Sequence, residues 1–173
     1  MRREAVCVHD EAAIASALDV MAKDITQTLE AAAPLFLCVV IGGIIPTGLL
    51  LPRLDFPLEL DYIHATRYRG ELEGQSVEWK QKPSIDLQGR TVVLVDDVLD
   101  GGLTLSALIT FCQEHNADKV YTAVLVDKKR TRETGGLEKA DFTGLEADNR
   151  YLFGYGMDYK KTLRNAPGIF AIA

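Results

Sequence analysis

The sequence predicts an α/β protein with a central parallel β-sheet flanked by helices. Two apolar runs rich in β-branched residues, 91–95 and 120–126, indicate strands that are covered on both faces. A helical segment, residues 103–115, lies between them. Strand, helix and strand in this order form a right-handed unit whose two strands are parallel. With 173 residues, the chain is expected to form a single domain, residues 1–173.

The first helix is predicted to begin after Asp10, because aspartate is a favourable N-cap residue. Pro34 is predicted to end the segment. Apolar side chains recur between these two positions at helical spacing and form one face: Ile14, Leu18, Met21, Ile25 and Leu29.

A strand, a turn and a short helix are predicted next. Residues 35–41 form a continuous apolar run, and Gly42 and Gly43 form the turn after it. Residues 44–51 then read as a helix with Pro46 in its first turn, where proline is tolerated.

The remaining chain alternates between strand and polar segments. Residues 60–68 are a strand candidate. Residues 69–83 are polar and contain glycine, which predicts a long hairpin or a mobile loop. Residues 87–90 form a turn before the buried run at 91–95, and the tail from Asp141 contains short strand-like pieces.

Composition argues against several classes of protein. A formal net charge of −6 disfavours nucleic-acid binding, which normally needs a basic surface. The three cysteines, Cys7, Cys38 and Cys112, lack zinc-ligand spacing, so reduced thiols in a cytoplasmic protein are expected. The most hydrophobic stretch, residues 35–51, is interrupted by glycine and proline and is of marginal length for a membrane span. No apolar signal-peptide core follows the charged first residues.

The candidate chemistry lies in residues 92–104, where a buried strand leads into a helix. Asp100 is followed by Gly101 and Gly102 just before the helix begins. In open α/β sheets, ligands bind at the carboxyl ends of strands. A glycine-rich turn at a helix N-terminus offers free N–H groups and the positive end of the helix dipole, which suits phosphate, and Thr104 can add a hydroxyl donor.

Asp96 and Asp97 need a different explanation, because carboxylates repel phosphate. Paired acids accept hydrogen bonds from the vicinal hydroxyls of a ribose, and they can help to hold Mg²⁺ directly or through water. Together with the glycine turn they predict a ribose 5-phosphate site. The plain alternative is an acidic turn in a generic α/β protein. A receiver domain also ends a strand in an acidic pair, but on its first strand, and it leaves the glycine pair unexplained.

The segment at 92–104 resembles the phosphoribosyl pyrophosphate (PRPP) motif of type I phosphoribosyltransferases. Other segments are similar to the hypoxanthine–guanine members: Lys128 after the second buried strand, residues 140–146, and residues 151–159 followed by Arg164. The similarity extends from about residue 34 to the end of the chain.

The resemblance implies the type I phosphoribosyltransferase fold, with a core at about residues 34–140. A small hood is implied for residues 141–173 together with the N-terminal segment. The implied reaction transfers the 5-phosphoribosyl group of PRPP to hypoxanthine or guanine in purine salvage, giving IMP or GMP and pyrophosphate, with Mg²⁺ as cofactor. The family is usually dimeric or tetrameric, so a homodimer or homotetramer is expected. Residues 69–83 are a candidate lid, with Tyr68 just before it.

The resemblance also implies roles for single residues. Asp100 is the implied general base on purine N7, and the general acid in the reverse reaction. Implied PRPP contacts are Asp96, Asp97, Asp100, Gly101, Gly102, Leu103, Thr104, Ile41, Gly42 and Arg164. Implied purine contacts are Lys128, Tyr151, Leu152 and Asp158, and implied metal-site residues are Asp96, Asp97 and Asp158.

The chain departs from the family pattern at three positions. Ile41 stands where many relatives have a lysine, so only its backbone can serve pyrophosphate. Gly101 stands where a threonine is common, which removes a hydroxyl, and Asp96 stands where glutamate is usual. These departures concern PRPP affinity rather than the type of reaction.

Alternatives stay open from the sequence alone. Lys128 lies in a basic cluster that would more often be a solvated loop, Tyr151 alternates as in a strand core, and Arg164 by itself carries no signal. A donor at Lys128 favours the 6-oxo purines over adenine. A transferase that prefers xanthine or a pyrimidine, or a PRPP-sensing regulator with the same fold, are the other readings. The regulator needs a basic face and does not need both Asp100 and Lys128.

Overall fold

The computed structural model describes residues 5–67 and 77–172, in which the strands form a larger and a smaller sheet. The strands are β1 (Ala5–His9), β2 (Leu35–Val39), β3 (Glu59–Arg67), β4 (Val77–Gln81), β5 (Thr91–Leu99), β6 (Lys119–Lys129), β7 (Phe142–Asp148), β8 (Leu152–Phe153) and β9 (Ile169–Ile172). The helices are α1 (Glu11–Leu29), α2 (Ile44–Leu50), which continues into a 3₁₀ turn (Leu51–Arg53), and α3 (Leu103–Glu114).

The larger sheet has the strand order β4-β3-β2-β5-β6-β7. Its neighbouring strands run parallel, except that β4 pairs antiparallel with β3. The predicted unit of two parallel strands joined by a helix is confirmed as β5, α3 and β6. This arrangement places the carboxyl ends of β2, β5 and β6 side by side at one edge, where a ligand site is expected in such sheets.

The two faces of the sheet are covered by different helices, which explains the continuous apolar run of β5. Val93 and Val95 pack with the buried face of α1, whereas Val92 and Leu94 pack with α3. The predicted apolar face of α1 is confirmed as buried. Its N-cap is confirmed as well, because the Asp10 carboxylate accepts a hydrogen bond of 2.8 Å from the backbone N–H of Ala13.

The ends of three strands differ from the sequence prediction. The strand predicted at 35–41 ends at Val39, whose carbonyl accepts from the N–H of Gly43 and so closes the turn. The strands predicted at 91–95 and 120–126 extend further, because the pairing of β5 with β6 continues as far as Leu99 and Asp127. Lys128 therefore lies within β6 rather than after it.

The smaller sheet joins both ends of the chain in the order β1-β9-β8, with antiparallel pairing. The hood was expected to contain segments from both ends of the chain, and the smaller sheet contains strands from both ends. The expected boundary at residue 140 also assigned residues 142–148 to the hood, but β7 is an edge strand of the larger sheet. It is held there because it pairs with β6 and because the Asp141 carboxylate accepts from the N–H and hydroxyl of Thr122.

The hairpin alternative for residues 69–83 agrees with the antiparallel β3–β4 pair at its described ends. Tyr68 and residues 69–76 of the candidate lid lie outside the described residues. Within the described part of the chain, no helix is both long enough and apolar enough to cross a membrane. Cys7 is exposed, Cys38 and Cys112 are buried, and all three are free thiols.

Candidate active site

Two neighbouring cavities lie at the carboxyl edge of the larger sheet. The first has a volume of about 370 Å³ and is lined by these residues: Val39, Val40, Gly42, Asp96, Asp97, Val98, Asp100, Lys128, Tyr151, Leu152, Met157, Asp158 and Arg164. The second has a volume of about 260 Å³ and is lined by residues 96–105. The end of β5 lines both cavities, so a ligand with two separate parts can occupy them together.

Asp96 and Asp97 form a close acidic pair at the end of β5. The backbone N–H of Asp97 donates to Oδ1 of Asp96 at 2.8 Å. Burial raises the pKa of Asp96 well above its usual range, and the charge of Asp97 raises it further. Burial also raises the pKa of Asp97, although the hydrogen bond with Asp96 and the charge of Arg164 oppose this rise. Nearby positive charge therefore does not fully compensate the two carboxylates, and the pair suits hydroxyl donors or a divalent cation.

The turn after β2 is pressed against this pair. Gly42 lies so close to Asp97 that a Cβ at position 42 would overlap the Asp97 carboxylate. On its other side, a Cβ on Gly156 would overlap the carbonyl oxygen of Gly42. The peptide bond between Val40 and Ile41 is cis. The Ile41 side chain is exposed and does not line the cavity, so the turn offers the site its backbone.

Asp100 is held between two cations. Its Oδ1 accepts from Nη1 of Arg130 at 2.8 Å, and its Oδ2 accepts from Nζ of Lys128 at 3.3 Å. Burial alone would raise the pKa of Asp100, but the Arg130 hydrogen bond and the Lys128 charge outweigh it and lower this pKa. Asp100 is thus an ionised carboxylate that lines the first cavity, with one oxygen paired to each cation.

The loop from Asp100 to Thr104 forms one wall of the second cavity. Gly102 has a φ of +83°, and a Cβ there would lie 2.5 Å from the carbonyl oxygen of Leu137, so glycine is required. Leu103 and Thr104 begin α3, and the first N–H groups of a helix have no acceptor within it. These groups, with the dipole of a 12-residue helix, suit an anion.

The C-terminal segment closes the opposite side of the first cavity. Tyr151 is 54% exposed, whereas Leu152 beside it is buried. Oδ1 of Asp158 pairs with Nη2 of Arg164 at 2.9 Å, and its Oδ2 accepts from the N–H of Lys161 at 2.7 Å. Nη1 of Arg164 lies 3.8 Å from Oδ2 of Asp97. Arg164 thereby links the C-terminal segment to the acidic pair on β5.

The donor set at this edge suits Mg²⁺, although the described residues form no complete cage of protein ligands. Asp96 and Asp97 supply carboxylate oxygens, the ligand type that Mg²⁺ prefers. Among residues 5–67 and 77–172, no three His, Cys, Asp or Glu side chains are grouped as metal ligands. Mg²⁺ commonly takes one or two carboxylates and fills its other positions with water and substrate phosphate, so an incomplete cage fits this ion.

Residues expected from the sequence meet at one site, but some of its members were not foreseen. Val98 and Met157 line the first cavity, and Arg130 and Arg132 hold Asp100 and its backbone. The available signal was topological. Because β6 is the parallel neighbour of β5, residues that follow Lys128 come out at the same edge as Asp100.

The model of the phosphoribosyl transferase domain family matches residues 7–160. The hypoxanthine-guanine-xanthine phosphoribosyltransferase of Tritrichomonas foetus is 31% identical over 149 residues, which cover 86% of this chain and 81% of that protein. The hypoxanthine-guanine phosphoribosyltransferase of Streptococcus pneumoniae is 32% identical over 162 residues, which cover 93% and 88%. The chain belongs to the hypoxanthine–guanine phosphoribosyltransferase family.

Solved structures of the family agree with this fold. A hypoxanthine-guanine-xanthine phosphoribosyltransferase superposes with a TM-score of 0.87 at 28% identity, over 96% of each chain. A hypoxanthine phosphoribosyltransferase from Staphylococcus aureus has a TM-score of 0.92 at 20% identity, over 100% of this chain and 94% of that one, which shows the fold. The type I phosphoribosyltransferase fold predicted from the sequence is therefore confirmed.

Proposed function

We propose that the protein transfers the 5-phosphoribosyl group of PRPP to hypoxanthine and guanine, giving IMP or GMP and pyrophosphate in purine salvage. The observation that carries the proposal is the arrangement of two cavities around β5. An ionised Asp100 and Lys128 line the first cavity, the N-terminus of α3 lines the second, and Asp96 and Asp97 line both. This order matches a purine base in the first cavity, a ribose at Asp96 and Asp97, and a phosphate in the second cavity.

Each part of PRPP is assigned to residues whose charge and hydrogen-bonding groups complement it. The 5-phosphate occupies the second cavity, on the N–H groups of residues 101–104 and the hydroxyl of Thr104. The ribose hydroxyls donate to Asp96 and Asp97, and pyrophosphate lies against Arg164 and the backbone of the Gly42 turn. Asp96, Asp97 and Asp158 are the residues proposed near Mg²⁺, which would neutralise charge on the pyrophosphate when bound.

The reaction is a displacement at the anomeric carbon. The bond from this carbon to the pyrophosphate oxygen breaks, and a bond to the purine nitrogen forms. Positive charge develops on the ribose, as in glycoside cleavage, and the Asp96 and Asp97 carboxylates stabilise it. Asp100 accepts the proton from purine N7, a role that contributes about 10²–10⁴-fold in rate. Arg164 stabilises the departing pyrophosphate.

The purine is recognised by groups at the mouth of the first cavity. Tyr151 stacks on the ring, and its high exposure leaves its face accessible. Lys128 donates to the 6-oxo group of hypoxanthine or guanine, and adenine is disfavoured because its 6-amino group is itself a donor. Backbone groups near Leu152 and Asp158 accept from the 2-amino group of guanine. Xanthine would direct an oxygen at these acceptors, which is costly.

Several expectations about the protein as a whole stay predictions. These are a cytoplasmic location, a homodimer or homotetramer, the absence of nucleic-acid binding, and closure of residues 69–83 over the site with Tyr68. The acidic net charge of −6 supports an enzyme over a nucleic-acid-binding regulator.

The test is a substrate panel. Purified protein is mixed with PRPP and Mg²⁺, and hypoxanthine, guanine, xanthine, adenine and uracil are added in separate reactions while nucleotide formation is followed. We expect turnover of hypoxanthine and guanine and little turnover of adenine or uracil. Xanthine belongs in the panel because the name of the Tritrichomonas foetus relative includes it. If PRPP binds but no base reacts, the regulator reading replaces the enzyme.

A further inference from the structure

Arg132 lies next to the proposed site without lining either cavity. Its side chain is 6% exposed and forms an ion pair with Asp127. Its Nη1 donates to the backbone carbonyls of Asp100 at 2.8 Å, Lys128 at 2.9 Å and Leu99 at 3.3 Å. A single buried guanidinium therefore ties the end of β5 to the end of β6.

The chain that follows Arg132 continues this pattern along the phosphate loop. The N–H of Glu133 donates to the carbonyl of Gly101 at 3.0 Å, and the N–H of Leu137 donates to the carbonyl of Gly102 at 3.0 Å. Gly136 fits against the loop so closely that a Cβ there would overlap the carbonyl oxygen of Gly101. The consecutive carbonyls of residues 99–102 thus all accept from residues 132–137, which we name the support segment.

These contacts determine where the N–H groups of the loop point. In a trans peptide unit, the C=O of one residue and the N–H of the next point in opposite directions. Because the carbonyls of Asp100, Gly101 and Gly102 face the support segment, the N–H groups of Gly101, Gly102 and Leu103 face away from it. The second cavity is lined by residues 96–105 and by no residue of the support segment, so it lies on the side that these N–H groups face.

We propose that Arg132 and the support segment are positioning elements that hold the phosphate loop in its anion-binding form before PRPP arrives. Arg132 touches neither substrate; it acts through the carbonyls of the loop. A preformed ring of N–H donors binds phosphate without first reorganising, which strengthens binding. The inference rests on the proposed PRPP site, and it names residues on which the affinity of that site for phosphate depends.

Two substitutions perturb the loop by independent routes. Arg132→Lys keeps a positive charge beside Asp127 but loses the planar guanidinium that reaches several carbonyls together. Gly136→Ala keeps all charges and pushes a methyl group against the Gly101 carbonyl. Matched controls are Arg53→Lys, since Arg53 also binds a carboxylate and a carbonyl but lies outside both cavities, and Gly48→Ala, where a Cβ would meet nothing within 4 Å.

The main measurement is the dissociation constant of ribose 5-phosphate by titration calorimetry, because it needs no catalysis. We expect both loop variants to weaken this binding about tenfold, as for the loss of one hydrogen bond to a charged group. The KM for PRPP should rise in parallel, whereas the KM for hypoxanthine and the values for both controls should stay within about twofold. Melting curves establish that each variant is folded at the assay temperature.

The possible outcomes separate this inference from the proposed function. If ribose 5-phosphate binds both variants within about twofold of the unmodified protein, the positioning role is wrong. The role is also wrong if kcat falls while both KM values stay unchanged, since that pattern means fewer folded molecules. If the unmodified protein makes no nucleotide but its binding of ribose 5-phosphate still depends on Arg132, the inference stands and the proposed reaction falls. If the unmodified protein makes nucleotide but does not bind ribose 5-phosphate, the inference is wrong and the proposed reaction stands.

Discussion

Replacing Asp100 by asparagine tests the proposed chemistry most directly. Asparagine has nearly the same shape as aspartate, but it carries no charge and cannot accept the N7 proton. We expect kcat for hypoxanthine to fall by about 10²–10⁴-fold, the usual contribution of a general base. Arg130 and Lys128 donate to different oxygens of Asp100, so the amide oxygen can keep only one of these two hydrogen bonds. The backbone of the loop is still held by the hydrogen bond from Arg132 to the Asp100 carbonyl.

The same substitution should have only a small effect on folding. The Asp100 side chain is 43% exposed, and ion pairs in contact with solvent contribute about 0–1 kcal/mol each. Loss of the pairs with Lys128 and Arg130 should therefore reduce the free energy of unfolding by at most about 2 kcal/mol. A domain with an ordinary stability of about 5–15 kcal/mol stays folded after such a loss.

The pH dependence gives an independent check on Asp100. Because Arg130 and Lys128 lower its pKa in the folded protein, its ion pairs stabilise the fold above the unfolded-state pKa, about 3.9, and this stability is lost as the pH falls through the lower folded value. For the same reason, Asp100 itself should not cause a loss of kcat/KM until the pH is below about 4.

The assay follows IMP formation at saturating PRPP and Mg²⁺, with hypoxanthine varied. Asp86→Asn serves as the matched control, since Asp86 accepts from the N–H of Gln88 in a turn and lines neither cavity. If Asp100→Asn keeps more than about a tenth of the unmodified kcat, general-base catalysis by Asp100 is refuted.

Three other substitutions give distinct results. Tyr151→Leu should raise the KM for hypoxanthine about tenfold, because stacking of a base on an aromatic ring contributes about 1–3 kcal/mol, and should leave the KM for PRPP unchanged in steady-state assays. Lys128→Met should lower kcat/KM for hypoxanthine by about 10–100-fold through loss of a charged donor, and an unchanged preference for hypoxanthine over adenine in the same panel would contradict this role. Asp96→Asn should raise the melting temperature near pH 7 while reducing activity. Burial and the charge of Asp97 raise the pKa of Asp96, so ionising Asp96 destabilises the fold increasingly as the pH rises from about 4 towards that pKa. Calorimetry should therefore show that the melting temperature of the variant exceeds that of the unmodified protein by an amount that grows with pH.

Local patterns in the sequence were sufficient for much of the fold and for the centre of the site. The β5–α3–β6 unit could be predicted because each element has its own signal: buried β-branched runs, a helical segment, and glycines between them. The position of Asp100 and the glycine turn at the start of α3 followed from the same segment. The length of the strands did not, because β5 and β6 continue through charged residues only where the neighbouring strand supplies hydrogen bonds.

Longer-range relationships were settled by the tertiary structure alone. The pairing of β1 with β9 joins residues at opposite ends of the chain, and β7 belongs to the larger sheet because it pairs in parallel with β6. In the same way, Arg130 belongs to an ordinary basic cluster in the sequence, and no sequence pattern singles out Arg132. Both arginines lie 30 or more residues after Asp100, and only the parallel packing of β5 and β6 brings them into contact with it. The sequence by itself determined which groups could carry the chemistry, because those signals are local. The tertiary structure decided which cations hold Asp100 and orient the phosphate loop, because those contacts join segments that are distant along the chain.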